Sequence, residues 1–224
     1  MKRLAFVAAL AAGFLFAVPA SADEKCTCSE AKTKNVVWCP KCKHGMFFGL
    51  ETKSQKLTET LAGQPAPKSK TDIKCKECLK AIENDGTCSH CHLAYTGGNM
   101  YKSIPAFTLA KGTRADPGSI KCADCKKAIE SKKDAFCKTC NAGIVGGRIF
   151  KTHESFGKAE ESMTLIKLAV ATAEKCESCA VAMMTDGECS KCKVTFKDGK
   201  MKKIEKAEKS IQPEKKPEPK APNH

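Results

Sequence analysis

The sequence predicts a tandem array of four small β modules, each made of two short hairpins stapled by four cysteines, in place of one domain built around a large apolar core. Three observations carry this. The 224 residues hold 16 cysteines but only 13 aromatic side chains (10 Phe, 2 Tyr, 1 Trp), so the chain is short of the large apolar groups a single core needs. The cysteines fall into four sets of four, with steps of 49, 47 and 54 residues between first members, which is the signature of a repeat. Turn-forming residues recur at fixed offsets from those sets.

The amino terminus stands apart. Met1-Lys2-Arg3 is followed by an apolar stretch from Leu4 to Val18, then Pro19 and the small residues Ala20-Ser21-Ala22 ahead of Asp23-Glu24. A basic start, a short apolar run and a small-residue exit define a signal peptide over 1–22, removed after Ala22. The run is too short for a membrane span, which takes roughly 20 apolar residues, and the later stretch from Met163 to Ala173 is shorter still and contains Lys167. The mature chain is therefore expected in an exported, periplasmic or secreted location with no membrane span. That compartment favours disulfides.

The sets are Cys26, Cys28, Cys39 and Cys42; Cys75, Cys78, Cys88 and Cys91; Cys122, Cys125, Cys137 and Cys140; and Cys176, Cys179, Cys189 and Cys192. Sets two to four read C-x2-C, a gap of 9, 11 or 9 residues, and C-x2-C, whereas set one opens with C-x-C. Asp85-Gly86, Asp134-Ala135 and Asp186-Gly187 precede the second pairs as turn formers, and Ala81-Ile82, Ala128-Ile129 and Ala182-Met183 between the pairs suit a strand of a first hairpin. After each last cysteine, the fourth residue is apolar (Met46, Tyr95, Ile144, Phe196) and the seventh is glycine (Gly49, Gly98, Gly147, Gly199). Gly97-Gly98, Gly146-Gly147 and Asp198-Gly199 are two-residue signals for a second hairpin. The modules then span 23–51 (irregular), 73–102, 120–151 and 174–203.

A C-x2-C turn aims two sulfurs at one point, and a facing second pair completes a tetrahedron around Zn2+. The modules resemble the zinc-ribbon group, whose metal knuckles sit on paired hairpins. The resemblance covers about 30 residues in each of four copies and implies up to four structural Zn2+ ions held by all 16 cysteines, with no position left for a water or substrate. Iron would use the same four thiolates, and disulfides within each set would fit the compartment without any metal.

Charge bears on partners. The chain carries 39 Lys and Arg against 25 Asp and Glu, a formal +14. Loss of Lys2 and Arg3 leaves +12, and four zinc-tetrathiolate centres at −2 each bring it to about +4. That is too little to argue for nucleic acid, which the signal peptide also disfavours. Cys88-Ser89-His90-Cys91-His92 matches the haem-attachment pattern C-x2-C-H, but the other copies carry Lys43, Asn141 and Lys193 at the His92 position. Redox dithiols would require one such pair opening a helix in a βαβ unit, a context missing here. No nucleophile elbow, phosphate loop or zinc-protease motif is present. Asp85, Asp134 and Asp186 read as turn residues, and Trp38, Phe47 and Phe48 as the small core of the first module.

The segments 52–72 and 103–119, with Gly63, Pro65, Pro67, Pro105 and Pro117-Gly118, read as extended or flexible linkers, with Phe107 to Ala110 as a possible docked strand. The segment 152–173 reads as a third linker, part of it helix-compatible: from Glu160 to Glu174 the apolar residues Met163, Leu165, Ile166, Leu168 and Val170 fit a helix, while the β-branched content leaves helix or strand open. The Lys-, Glu- and Pro-rich stretch 204–224 reads as a disordered tail. The expectation is an exported, non-enzymatic, zinc-binding ribbon array that binds or scaffolds an unidentified protein partner or envelope component. Metal buffering or delivery is the alternative, and a metal-free disulfide-stapled protein the next.

Overall fold

A computed structural model describes Cys28 and residues 36–204. The expected signal peptide, Cys26 and the tail beyond Ile204 lie outside the described residues. The first module is a three-stranded antiparallel sheet of β1 (Val36–Cys39), β2 (His44–Phe47) and β3 (Leu50–Thr52). It is followed by helix α1 (Gln55–Leu61) and strand β4 (Gln64–Pro65). The second module comprises helix α2 (Lys76–Glu83) and strands β5 (Thr87–Cys88), β6 (Leu93–Thr96) and β7 (Asn99–Tyr101), followed by helix α3 (Ile104–Ala110) and strand β8 (Thr113–Arg114). The third repeats the plan with α4 (Ala123–Glu130), β9 (Ala135–Cys137), β10 (Ala142–Val145) and β11 (Arg148–Phe150), and leads into the 21-residue helix α5 (His153–Ala173). The fourth has α6 (Glu177–Met184), β12 (Glu188–Cys189), β13 (Val194–Lys197) and β14 (Lys200–Lys203).

The second hairpin of each module stands where the glycines put it. Gly97 and Gly98 have φ of 56° and 72°, Gly146 and Gly147 have 55° and 73°, and Asp198 and Gly199 have 50° and 70°, the left-handed pair that a tight hairpin turn requires.

The first hairpin is not formed. Between the two cysteine pairs of modules two, three and four the chain is helical, so the double-hairpin reading is corrected to a helix followed by a three-stranded meander. Two features account for this. The segments are rich in helix formers such as Lys76-Glu77-Cys78-Leu79-Lys80-Ala81, and Cys78 and Ala81, three residues apart, are the positions it buries. The Asp-Gly pairs are helix stops. Asp85 and Asp186 are left-handed (φ 47° and 48°), and the following Gly86 and Gly187 donate back to the carbonyls of Ala81 and Ala182 at 2.8 and 2.9 Å, closing a Schellman motif. In module three Lys132 (φ 53°) and Lys133, bonded to Ala128 at 3.0 Å, play these parts. A left-handed residue serves a hairpin turn and a helix stop equally well, so the dipeptide alone does not distinguish them.

The expected linkers are also structured. Ser54, Ser103 and Thr152 cap α1, α3 and α5 by accepting the backbone N–H of Leu57, Ala106 and Ser155. Phe107 to Ala110 lies on α3, not on a strand. After the short helices the chain crosses to the next module: β4 pairs with β7, and β8 with β11. A Cβ on Gly63 would come within 2.6 Å of the Tyr101 ring, and one on Gly112 within 2.5 Å of Phe150. These two glycines let each crossing strand lie flat on the next module's aromatic residue.

The modules share one core. It gathers Phe47 and Phe48 from module one, Leu57 and Leu61 from α1, Tyr101 and Phe107 from module two, Val145 and Phe150 from module three, and Met184 and Phe196 from module four around Phe156, Met163 and Ile166 of α5. Phe47 and Phe48 thus belong to this common core and not to a private one. Smaller clusters lie on the metal-site side, with Tyr95 beside Cys78 and Cys88, and Ile144 beside Cys125 and Cys137. Adjacent residues of one strand, Ala94 and Tyr95 or Val145 and Ile144, therefore face different cores, as the alternation of a strand dictates.

Arg148 joins three modules. It is 8% exposed; its Nε donates to the Gly112 carbonyl and its Nη2 to the Ala110 carbonyl, both at 2.8 Å, at the C-terminal end of α3, and its guanidinium lies 5.9 Å from the Phe48 ring centroid. Ser54 Oγ donates to Glu177 Oε1 at 2.8 Å and ties α1 to the start of α6.

Candidate metal centres

Each cysteine set is positioned by the same local structure. Cys75, Cys122 and Cys176 are the N-cap residues of α2, α4 and α6, and Cys78, Cys125 and Cys179 follow in the first turn, so both sulfurs of the pair leave one helix end. The second pair sits on a knuckle at the strand turn. Lys43, His92, Asn141 and Lys193, each directly after the last cysteine, are left-handed with φ of 48–54°, and the Cys42 and Cys91 N–H groups point at the Cys39 and Cys88 sulfurs at 3.4 and 3.3 Å.

The result is three complete four-sulfur groups, at Cys75, Cys78, Cys88 and Cys91; at Cys122, Cys125, Cys137 and Cys140; and at Cys176, Cys179, Cys189 and Cys192. A fourth group holds Cys28, Cys39 and Cys42, and in each group the sulfurs lie within 4.8 Å of one another. The fourth expected ligand of that group, Cys26, lies outside the described residues. Sulfur separations are 3.7 Å for Cys75–Cys88 and Cys122–Cys137, 3.8 Å for Cys176–Cys189, 3.7 Å for Cys176–Cys192 and 3.5 Å for Cys28–Cys42. Four sulfurs bonded at about 2.3 Å to one tetrahedral ion stand about 3.8 Å apart. The described cysteines form no disulfide. The donor set fits a closed four-thiolate metal site; zinc and iron share that geometry.

The electrostatics explain why such a group wants a cation. The N-cap thiols are acidified: Cys75 to about 6, chiefly by the Cys78 backbone N–H, and Cys122 and Cys176 to about 7 by the N–H groups of Cys125 and Cys179. These N–H groups approach the sulfur at the helix end without closing a full cap hydrogen bond. The inner thiols move the other way. Burial pushes Cys88, Cys125 and Cys179 up, and the neighbouring Cys78 thiol pushes Cys91 up to about 12. A divalent ion supplies the positive charge that lets a gathered set of thiols ionise together.

Supporting contacts repeat. Asp85, Asp134 and Asp186 accept through Oδ1 from the backbone N–H of Gly97, Gly146 and Asp198, at 3.0, 2.9 and 2.8 Å, so each braces the helix end and first strand against the hairpin turn. In module two Glu77 Oε2 accepts from Ser89 Oγ at 3.1 Å and from the His90 N–H at 3.2 Å, which ties helix to knuckle. The Ser89 hydroxyl holds the Glu77 carboxyl below its usual range. His92 occupies the left-handed knuckle position, and Cys88 and Cys91 are gathered with Cys75 and Cys78; the haem-attachment match is a knuckle with histidine at its turn.

A groove of about 980 Å³ runs between module two, α5 and module four, lined by the apolar Ile104, Leu168 and Met184, the acidic Glu160, Glu161, Asp186 and Asp198, and Lys102. Among the described residues no helix is long and apolar enough to cross a membrane. Sequence reasoning missed Arg148 and the capping serines. Ser54, Ser103 and Thr152 each follow a turn glycine (Gly49, Gly98, Gly147) by five residues, a signal that extends the repeat into the supposed linkers. Comparison with protein-family models, curated proteins and solved structures finds no match to this chain.

Proposed function

We propose that this chain is an exported, non-enzymatic zinc protein in which four tetrahedral ions staple small modules around one helix, so that the array presents a rigid binding surface. The observation that carries the reading is the set of three complete four-sulfur groups, each with its sulfurs within 4.8 Å of one another and its first and third sulfurs 3.7–3.8 Å apart. The groove beside α5, lined by apolar Ile104, Leu168 and Met184 together with the acidic Glu160, Glu161, Asp186 and Asp198, supports a protein partner or an envelope component with an apolar, basic segment. Closed four-ligand sites leave no coordination position for chemistry on the ion, which supports a structural role over catalysis.

A second reading, metal delivery, draws on the exposure of Cys42, Cys140 and Cys192: a ligand at the surface is the one an acceptor would displace first. The test is to purify the mature chain from the exported fraction without added metal, then to measure bound metal and free thiols before and after chelation. Four zinc ions and thiols released only on chelation support the structural array. Rapid transfer of zinc to a chelator with the fold retained shifts the reading to delivery, and a metal-free chain without titratable thiols overturns both.

A further inference from the structure

We propose that the groove between module two, α5 and module four docks a basic, apolar segment of a partner protein, and that the ion of the second site sets its affinity; this rests on the metal reading of the cysteine groups. The first argument is apolar surface left in water at one place. Ile104 and Leu168 are 39% and 52% exposed, and both line this groove, where Leu165, Met183 and Met184 extend the apolar surface. Leu165 and Leu168 stand three residues apart on α5 and so share one face of the helix. The volume of about 980 Å³ matches the largest small-molecule pockets, which is room for several side chains of a docked segment.

Charge is the second argument, and it selects the occupant. The chain carries 39 Lys and Arg against 25 Asp and Glu, yet the groove reverses that balance: Glu160, Glu161, Asp186 and Asp198 line it, with Lys102 as the one Lys or Arg among the lining residues. A cationic partner is favoured here and disfavoured by the net charge of the rest of the molecule, whereas nucleic acid or an anionic lipid headgroup is turned away. A protein segment that sets Lys or Arg among large apolar side chains satisfies both the charge and the apolar lining.

The third argument is how the walls are built. The α5 wall belongs to an element that Met163 and Ile166 anchor in the common core. The facing wall is part of a metal site: Thr87, Cys88, Ser89 and His92 line the groove, and they belong to the knuckle whose Cys88 and Cys91 are gathered with Cys75 and Cys78. A knuckle this small owes its order chiefly to the ion it holds, so emptying site two loosens that wall. Module three supplies none of the lining residues. The second ion and the docked segment are therefore coupled, each raising the affinity of the other by the same factor, about 5–150-fold for couplings of the usual size.

The probe is a labelled peptide composed of Lys and Leu, titrated into the zinc-loaded full chain and followed by fluorescence anisotropy, with a peptide of Glu and Leu as its acidic counterpart. The basic peptide should bind and the acidic one should not. Leu168→Glu, and Glu160→Lys combined with Glu161→Lys, all at exposed positions of α5, should weaken binding about tenfold or more. Cys91→Ser should weaken it about 5–150-fold relative to Cys140→Ser, which empties a site outside the groove. On the unmodified chain, saturating peptide should slow the transfer of one zinc in four to a chelator, a readout that does not depend on any variant folding. No binding of the basic peptide, or binding that survives the charge reversal, overturns the docking site. Equal weakening by the two cysteine variants, or unslowed transfer of every ion, overturns the coupling; all these outcomes leave the metal reading intact. Tighter peptide binding by a chain ending at Ile204, or a dimer that the charge reversal disperses, would put the chain's own tail or a second copy in the groove and overturns the partner. A parent chain that takes up no metal at any site fails the metal reading itself, and this proposal with it.

Discussion

Replacing Arg148 by Met keeps the aliphatic stem and removes the guanidinium that links module three to the end of α3. In the structure that group donates twice at 2.8 Å, to the Gly112 and Ala110 carbonyls, from a residue 8% exposed. Hydrogen bonds from a charged group contribute about 1.5–3 kcal/mol each. The substitution also removes the desolvation cost of a buried cation, which burial already expresses by lowering the Arg148 pKa. The two terms oppose, and the carbonyls left without donors at a helix C-terminus favour the loss, so the net expectation is about 2–4 kcal/mol. Arg148→Lys keeps a charge but cannot span both carbonyls in a planar fork, and should fall between. The assay is denaturant unfolding of the metal-loaded chain followed by circular dichroism and by Trp38 fluorescence. Because Phe48 and the α5 core touch the same residue's surroundings, both probes should shift together. A loss below about 0.5 kcal/mol, or a shift seen by one probe only, refutes the idea that Arg148 holds modules one to three as one unit.

Other consequences can be checked on the same protein. Ile166→Ala, at a fully buried position of α5, should cost about 2–5 kcal/mol by the same unfolding assay. Gly147→Val places a branched side chain at φ 73° and should cost more than 1 kcal/mol, whereas Gly157→Ala, inside α5 with open space around its Cβ, should stabilise by about 0.5–1 kcal/mol. Asp186→Ala removes the acceptor of the Asp198 N–H and should cost about 1 kcal/mol, with hydrogen exchange accelerated chiefly in module four. Cys179→Ser should lower metal content from four to three equivalents, measured by elemental analysis, because a buried ligand has no substitute within its group.

The repeat, the four ligand groups and the second hairpins were legible because each rests on a short-range rule: ligand spacing in C-x2-C, and a left-handed pair at Gly97-Gly98 or Gly146-Gly147. The helices between the pairs were not, because Asp-Gly marks a left-handed residue without saying what precedes it, and Ala81-Ile82 is compatible with either element. A longer window over Lys76 to Glu83, rich in helix formers, holds the missing information. The linkers misled for another reason. Gly63 and Gly112 look like flexible joints in the sequence, yet each is small because an aromatic ring, Tyr101 or Phe150, lies against it from the next module. Arg148 was invisible among 39 basic residues, since nothing local to a strand says that its partners are carbonyls 36 and 38 residues away.

X-ray absorption at the metal edge, on the full chain purified without added metal, bears on all four sites at once. Zinc in a shell of almost entirely sulfur neighbours at about 2.3 Å, at four ions per chain, is the predicted result. A chain without bound metal, its cysteines oxidised in pairs, would contradict it.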